Sequence, residues 1–187
     1  MEAKNHIFLR IRFLVIFSLI LFVFLSCNES KERPETKQTI GMMNDSLIQY
    51  NQRIVQEESR EIEDFIDRYQ WKMSTTTTGL RYMIFKPGKG PCAKKGELVR
   101  INYSVRLLNG DLVYKSDSLA PFEFEIGKRS VPNGLEEGVM LMKPGEHAKL
   151  VVPSYLAFGL AGDQDRVPPR AILVYDIELL GVKRANK

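Results

Sequence analysis

The chain has few of the side chains on which most enzyme chemistries depend. Its 187 residues include only two histidines and two cysteines, which give no zinc-ligand spacing. Gly88, Gly90 and Gly96 lack the Gly-Lys-Ser/Thr ending of a phosphate-binding loop. We therefore predict neither a metal nor a cofactor.

One nucleophilic alternative remains, since Ser104, His147 and Asp176 are all present. Nothing in the sequence places the three together, and we interpret His147 as a solvated residue at a strand edge. Glu136 and Glu137 are adjacent on a predicted helix and therefore point apart. We interpret them as solvated residues of its first turn, not as a catalytic pair.

Strong charge of one sign is also lacking. The formal charge is +4, and Lys4, Arg10 and Arg12 against Glu2 place half of it in the first 26 residues. The remainder carries little net charge and no basic cluster, which argues against a nucleic-acid partner.

The N-terminal region does contain a long apolar run, Phe13–Leu25, interrupted by Ser18. It is shorter than the roughly 20 residues of a membrane-spanning helix. The following Ser26-Cys27 resembles a bacterial lipobox. We predict a lipoprotein signal peptide over residues 1–27 with lipidation at Cys27, the alternative being an uncleaved signal anchor. Either places the protein in the cell envelope, anchored to a membrane and facing the periplasm.

The second cysteine, Cys92, is then alone and has no disulfide partner within the chain. It lies in a polar loop beside Lys94 and Lys95. An incidental loop cysteine is the favoured interpretation, and a reactive thiol is the alternative.

Two segments precede the predicted domain. Residues 28–43 are polar and predict a linker. Residues 44–73 have apolar side chains at helical spacing and predict a helical segment. The apolar stripe is interrupted at Glu57-Glu58-Ser59, which leaves one or two helices open. The stripe packs either on the domain or on a second copy, as in a homodimer through 44–73.

From Gly79 the apolar period changes to two, as in β-strands. Asn109-Gly110 is a strong hairpin signal. The predicted strands lie near 80–84, 99–107, 112–115, 122–126, 149–153 and 172–180, with one short helix near 133–141. Antiparallel strands around a short helix indicate an α+β domain over 79–184.

An ordered series of motifs runs through this domain. It consists of Gly79-Leu80-Arg81-Tyr82, Asn102-Tyr103-Ser104, Asn109-Gly110, Pro121-Phe122-Glu123-Phe124, Gly134 with Glu136-Glu137-Gly138, Ala157-Phe158-Gly159, Val167-Pro168-Pro169 and Leu173–Leu179. The series resembles the FKBP-type peptidyl-prolyl isomerases. The resemblance implies a twisted antiparallel sheet wrapped on one short helix, preceded here by the helical segment.

The resemblance also implies a proline-binding pocket that works without acid, base or metal, acting on proline-containing polypeptides. The residues at its catalytic positions are Tyr103, Phe122, Val131, Leu135, Phe158 and Tyr175. The further substrate-binding positions are Phe124, Pro132, Val113, Tyr114 and Val167.

Several of these positions depart from the family pattern. Val113-Tyr114 replaces Phe-Asp, so an orienting carboxylate is missing there, and Leu135 replaces a Trp. Phe158 lacks the Tyr hydroxyl and Pro132 lacks the backbone N–H that usually bond the ligand. We therefore expect reduced activity in an isomerase that assists folding of exported proteins.

The alternative is a weakly catalytic binding module of a cell-envelope machine. The layout of signal, linker, helix and single domain is similar to that of the gliding-motility-associated lipoprotein isomerases.

Overall fold

The computed structural model describes residues 34–117 and 119–184. The predicted signal peptide and Cys27 lie outside these residues. The chain divides into two units after Ile48, within its first helix. The packing described below belongs to the second unit, Gln49–Lys187.

The first helix, α1, covers Pro34–Arg68. Proline is favoured at a first helical position because the N–H that it lacks would have no partner within the helix. The helix therefore includes residues 34–43, which the sequence assigned to the linker. It also continues through Glu57-Glu58-Ser59 as one helix. These polar residues do not end it, because glutamate is a good helix former. Glu58 is buried, and Ser59 accepts a hydrogen bond from Arg81.

Seven antiparallel strands follow. They are β1 (Ser74–Thr75), β2 (Arg81–Lys86), β3 (Glu97–Leu107), β4 (Leu112–Lys115), β5 (Phe122–Glu125), β6 (His147–Val152) and β7 (Leu173–Arg184). Their order in the sheet is β1-β2-β6-β7-β3-β4, and β5 pairs with the first half of β3. The long β3 pairs with β7 from Glu97, opposite Arg184, to Leu107, opposite Leu173. The predicted strands are confirmed, and the two-residue β1 is an addition.

The short helix α2 covers Asn133–Met140, as predicted. It packs against β6 through two glycines. A Cβ atom at Gly134 would collide with Val152, and one at Gly138 would collide with Leu150. Glycine at both positions therefore lets the helix backbone approach the sheet closely.

Alternation along the strands gives the sheet two different faces. The inner face packs on α2 and carries Leu150, Val152, Tyr175, Ile177 and Leu179, all buried. The outer face carries Val151 and Val174, which pack with Ile172 and with Ile62, Phe65 and Ile66 of α1. The predicted α+β fold, an antiparallel sheet around a short helix with a helix before it, is confirmed.

Candidate functional site

The structure places nine of the eleven predicted pocket residues in the main apolar core, around the inner face of the sheet. Five of them form a buried floor: Val113, Phe124, Leu135, Val167 and Tyr175. Four half-buried side chains pack against that floor: Tyr103, Tyr114, Val131 and Phe158. An apolar floor under a half-exposed rim is suited to holding a small apolar side chain.

The aromatic rim is continuous across β3 and β5. The Phe122 ring lies 5.6 Å from the Tyr103 ring in an edge-to-face arrangement and 5.8 Å from the Phe124 ring. Phe122 is 37% exposed, whereas Phe124 is 4% exposed. Phe122 is therefore the aromatic side chain of this pair that an arriving ligand can contact.

Two phenol groups belong to this site. Burial raises the pKa of Tyr103 above its usual value. Burial raises the pKa of Tyr175 as well, and the nearby Tyr103 raises the pKa of Tyr175 further. Both hydroxyls therefore stay protonated at neutral pH and keep the ability to donate a hydrogen bond.

Pro132 lies at the start of α2, where the resemblance places it. Its carbonyl accepts hydrogen bonds from Leu135 N at 3.0 Å and Glu136 N at 3.2 Å. Having no N–H, it donates none to a ligand. Phe158 likewise presents a ring without a hydroxyl. The structure thus places Pro132 at the start of the helix that carries Leu135, and packs Phe158 against the core.

Sequence reasoning missed a carboxylate that reaches this site from the loop before Val167. The Tyr114 hydroxyl donates to Asp163 Oδ2. Asp163 Oδ1 accepts three backbone N–H bonds, from Asp165 at 3.0 Å, Arg166 at 3.0 Å and Val167 at 2.7 Å. The only sequence signal is the polar run Gly162–Asp165, which is typical of a turn.

This Tyr114–Asp163 pair changes the titration of both groups. The hydrogen bond to Asp163, aided by burial, raises the pKa of Tyr114 to about 12. Burial acts to raise the pKa of Asp163, but the bonds from Tyr114 and the backbone outweigh it and lower that pKa to about 2. Arg166 adds a contact of 5.6 Å with the Tyr114 ring and a bond to Val113 O. The loop that carries Val167 is therefore fixed to β4.

The Ser-His-Asp alternative is not supported. Ser104, His147 and Asp176 line one shallow depression of about 190 Å³ on the outer face. His147 Nε2 lies near Glu178 (3.2 Å) and Lys86 (3.1 Å), and no hydrogen bond to Ser104 is found in the part of the chain that the structure describes.

The interpretation of His147 as a solvated strand-edge residue is wrong. His147 begins β6, which lies between β2 and β7 inside the sheet, and its side chain is half-buried. Glu136 is also not solvated. It is 9% exposed and accepts the Gly127 N–H. Glu137 accepts the Thr78 hydroxyl at 2.7 Å.

Other sequence-derived expectations concern metal sites, the cysteine and the membrane. Within residues 34–117 and 119–184, no three His, Cys, Asp or Glu side chains lie close enough to hold a metal ion. Cys92 is half-buried, and its Sγ lies 3.8 Å from Leu141 O. None of the helices in those same ranges combines the length and apolar character that crossing a membrane requires.

The chain is similar to several known proteins. It is 41% identical to FK506-binding protein 2 of Dictyostelium discoideum over 90 residues, 48% of this chain and 68% of that protein. It is 39% identical to FK506-binding protein 4 of the same organism over 106 residues, 57% of this chain and 29% of that one. The chain thus spans less than a third of the latter relative's length.

A third relative, FkpA of Escherichia coli, is 38% identical over 116 residues, 62% of this chain and 42% of that protein. The crystal structure of FkpA superposes with a TM-score of 0.62 at 30% identity, covering 92% of this chain and 82% of that chain. The family model for FKBP-type peptidyl-prolyl cis-trans isomerases matches residues 90–180. The chain therefore belongs to the FKBP-type peptidyl-prolyl cis-trans isomerase family.

Proposed function

We propose that this protein catalyses cis-trans isomerisation of Xaa-Pro bonds in polypeptide clients, and that the pocket formed by Tyr103, Phe122, Val131, Leu135, Phe158 and Tyr175 carries the activity. The observation that supports this most is the buried apolar floor with an aromatic rim, in a chain of this family. Such a surface fits a proline ring.

The reaction requires rotation about one bond and no proton transfer. A peptide bond loses its conjugation on rotation, at a cost of roughly 18–20 kcal/mol. In the proposed mechanism the proline ring lies on the apolar floor, and the twisted amide is favoured over either planar form. The twisted carbonyl is no longer conjugated with nitrogen, so a site that shields it from water favours that state. The Tyr103 and Tyr175 hydroxyls are the donors that the pocket retains.

Reduced activity is part of the proposal. Pro132 offers no N–H and Phe158 offers no hydroxyl. A missing hydrogen bond weakens binding by about 1 kcal/mol, which is about fivefold in rate when the bond acts in the transition state.

Nuclear magnetic resonance exchange spectroscopy on an Xaa-Pro peptide tests this function. The full-length chain in detergent should accelerate exchange between the cis and trans resonances, because α1 and its contacts with the domain are then retained. Phe122→Ala should lower the acceleration about tenfold, equivalent to about 1.4 kcal/mol of lost contact. Phe85→Ala is the matched control, an exposed phenylalanine of β2 outside the pocket. Equal acceleration by all three proteins would contradict the assignment of the pocket.

The absent donors at Pro132 and Phe158 favour one alternative, a proline-binding module of a cell-envelope machine such as the gliding apparatus. In that case the peptide would shift the amide resonances of the pocket in the wild-type chain, and Phe122→Ala would abolish the shift, without any acceleration of exchange.

We also propose that the protein assists folding of exported proteins from the envelope, held by a lipid on Cys27 and facing the periplasm. The basic start, apolar run and Ser26-Cys27 junction support this. Mass spectrometry of the membrane fraction should find the lipid-modified N-terminus at Cys27 and should lose it in Cys27→Ala. An intact N-terminal segment in the wild-type chain would instead indicate the signal anchor.

Self-association through residues 44–73 is proposed as well. Tyr50 and Val55 of α1 are exposed by 49% and 42%. Sedimentation velocity should show a dimer that weakens in Val55→Glu, whereas a wild-type monomer would exclude it.

A further inference from the structure

A carboxylate of α1 is buried where the polar face of a helix would normally meet water. Glu58 is only 3% exposed. Its Oε2 accepts the Ser154 backbone N–H at 2.9 Å, and its Oε1 accepts the Ser154 hydroxyl at 2.6 Å. Burial of a carboxylate is costly unless hydrogen bonds replace its hydration. Here both oxygens of the Glu58 carboxylate accept hydrogen bonds from the same residue, Ser154.

Ser154 begins the turn that carries Phe158 into the pocket. This 3₁₀ turn covers Ser154–Leu156. The carbonyl of Ser154 accepts hydrogen bonds from Ala157 N at 2.9 Å and from Gly159 N at 2.8 Å. Because these donors flank Phe158 in the chain, the position of Ser154 sets where the Phe158 backbone lies.

The same turn contacts the start of α2. A Cβ atom at Gly134 would come within 3.2 Å of Leu156 Cβ and 3.3 Å of Leu156 O. Gly134 precedes Leu135 of the pocket floor. A displaced turn would therefore disturb the positions of both Phe158 and Leu135. Proteins transmit such displacements because their interiors are closely packed.

A second polar contact holds this part of α1 in place. The Arg81 side chain, 6% exposed, donates from Nη2 to Ser59 Oγ at 2.6 Å and to Glu63 Oε1 at 2.8 Å. Its Nη1 donates to Gly79 O at 2.6 Å. Since Ser59 adjoins Glu58 on α1, this contact fixes the helix at the level from which Glu58 reaches Ser154.

We propose that Glu58 is a positioning residue of the isomerase site: through Ser154 it holds the turn that presents Phe158, so that catalysis by the domain depends on α1. The proposal rests on the proposed function and adds a residue that contacts no substrate. It also assigns a role to the polar interruption of the apolar stripe of α1.

Glu58→Gln tests the proposal with little change of size. The amide keeps one acceptor for the Ser154 N–H, but its NH₂ group forces the Ser154 hydroxyl to turn from donor to acceptor, and both bonds lose the strength that a charged acceptor gives them. Glu57→Gln, exposed on the same helix, is the matched control. In the full-length chain we expect Glu58→Gln to lower kcat/KM about tenfold, mainly through kcat, as displaced catalytic groups do. Hydrogen exchange at the Ala157 and Gly159 amides should accelerate by about the same factor, while the Ile177 and Leu179 amides of β7 keep their protection.

A double-mutant cycle separates positioning from general stability. If Glu58 acts through Ser154, Glu58→Gln with Ser154→Ala should be no slower than the slower single variant. Unchanged kcat/KM and unchanged Ala157 and Gly159 exchange in Glu58→Gln would overturn the proposal. So would equal acceleration of exchange at all amides, since that is global destabilisation. If the wild-type chain does not catalyse, the proposed function fails, and exchange at these two amides still decides whether Glu58 holds the turn.

Discussion

The two faces of the sheet are covered by helices that are held in different ways. The inner face meets α2 through apolar side chains and two glycines, with Leu135 and Val139 buried against β6 and β7. The outer face meets α1 through a small apolar cluster and through buried polar contacts from Glu58 and Arg81. The inner contact depends on close apolar packing, whereas the outer contact adds hydrogen bonds, which fix direction and distance. This difference is why we assign to the polar contacts of α1 a role in positioning the turn that carries Phe158.

Truncation of one core side chain on each face gives the largest expected effect. Leu150→Ala on the inner face and Ile62→Ala on α1 each remove a fully buried side chain. Each should lower the free energy of unfolding by about 2–5 kcal/mol. Urea titration of the full-length variants measures this, and Leu119→Ala, 94% exposed, is the control. A change below about 0.5 kcal/mol in Ile62→Ala, a typical surface value, would show that α1 contributes little to the stability of the fold.

Restoring a donor on the pocket side should have an intermediate effect. Phe158→Tyr adds a hydroxyl at the half-buried rim. If that hydroxyl bonds the client carbonyl in the transition state, kcat/KM for the Xaa-Pro peptide should rise about fivefold, the equivalent of about 1 kcal/mol. Tyr69→Phe, which removes the hydroxyl of a tyrosine that is 54% exposed and outside the pocket, should not raise the rate. An unchanged rate in Phe158→Tyr would indicate that the missing hydroxyl does not limit activity.

The Tyr114–Asp163 pair gives the smallest effect, a contribution to stability that is lost at both low and high pH. Asp163 has its folded-state pKa lowered to about 2, from an ordinary value near 3.9. The stability that it contributes is therefore present above about pH 4 and is lost as the pH falls toward 2. Tyr114 has its pKa raised to about 12. Its contribution is present below its ordinary value near 10 and is lost as the pH rises toward 12.

Carboxyl ¹³C titration by nuclear magnetic resonance should give the Asp163 value, and Tyr114→Phe should raise it toward normal. Asp176→Asn on the outer face, where Asp176 pairs with Lys149, is the control that leaves Asp163 unchanged. An Asp163 titration near its ordinary value in the wild-type chain would show that this pair does not form in solution.

The sequence predicted the strands and α2 because their signals are local. The alternation from Val99 to Leu107 matches the buried and half-buried pattern of β3, and Asn109-Gly110 marks its turn. The pocket positions came from the order of motifs, and the structure places nine of the eleven in the main apolar core. Their catalytic roles stay a prediction until activity is measured.

The contacts that the sequence did not reveal join distant residues. Glu58 and Ser154 are 96 positions apart, and Tyr114 and Asp163 are 49 apart. A charged residue on a helix surface or in a loop is usually solvated, so neither Glu58 nor Asp163 is distinguished by residue type or spacing. Only the docking of α1 and the course of the loop before Val167 give these carboxylates their partners.

The decisive measurement is the rate of cis-trans exchange of an Xaa-Pro peptide, with the full-length wild-type chain and with Phe122→Ala. We expect acceleration by the wild-type chain that falls about tenfold in the variant, equivalent to about 1.4 kcal/mol of lost contact. No acceleration by a folded wild-type chain, or the same acceleration by both proteins, would contradict it.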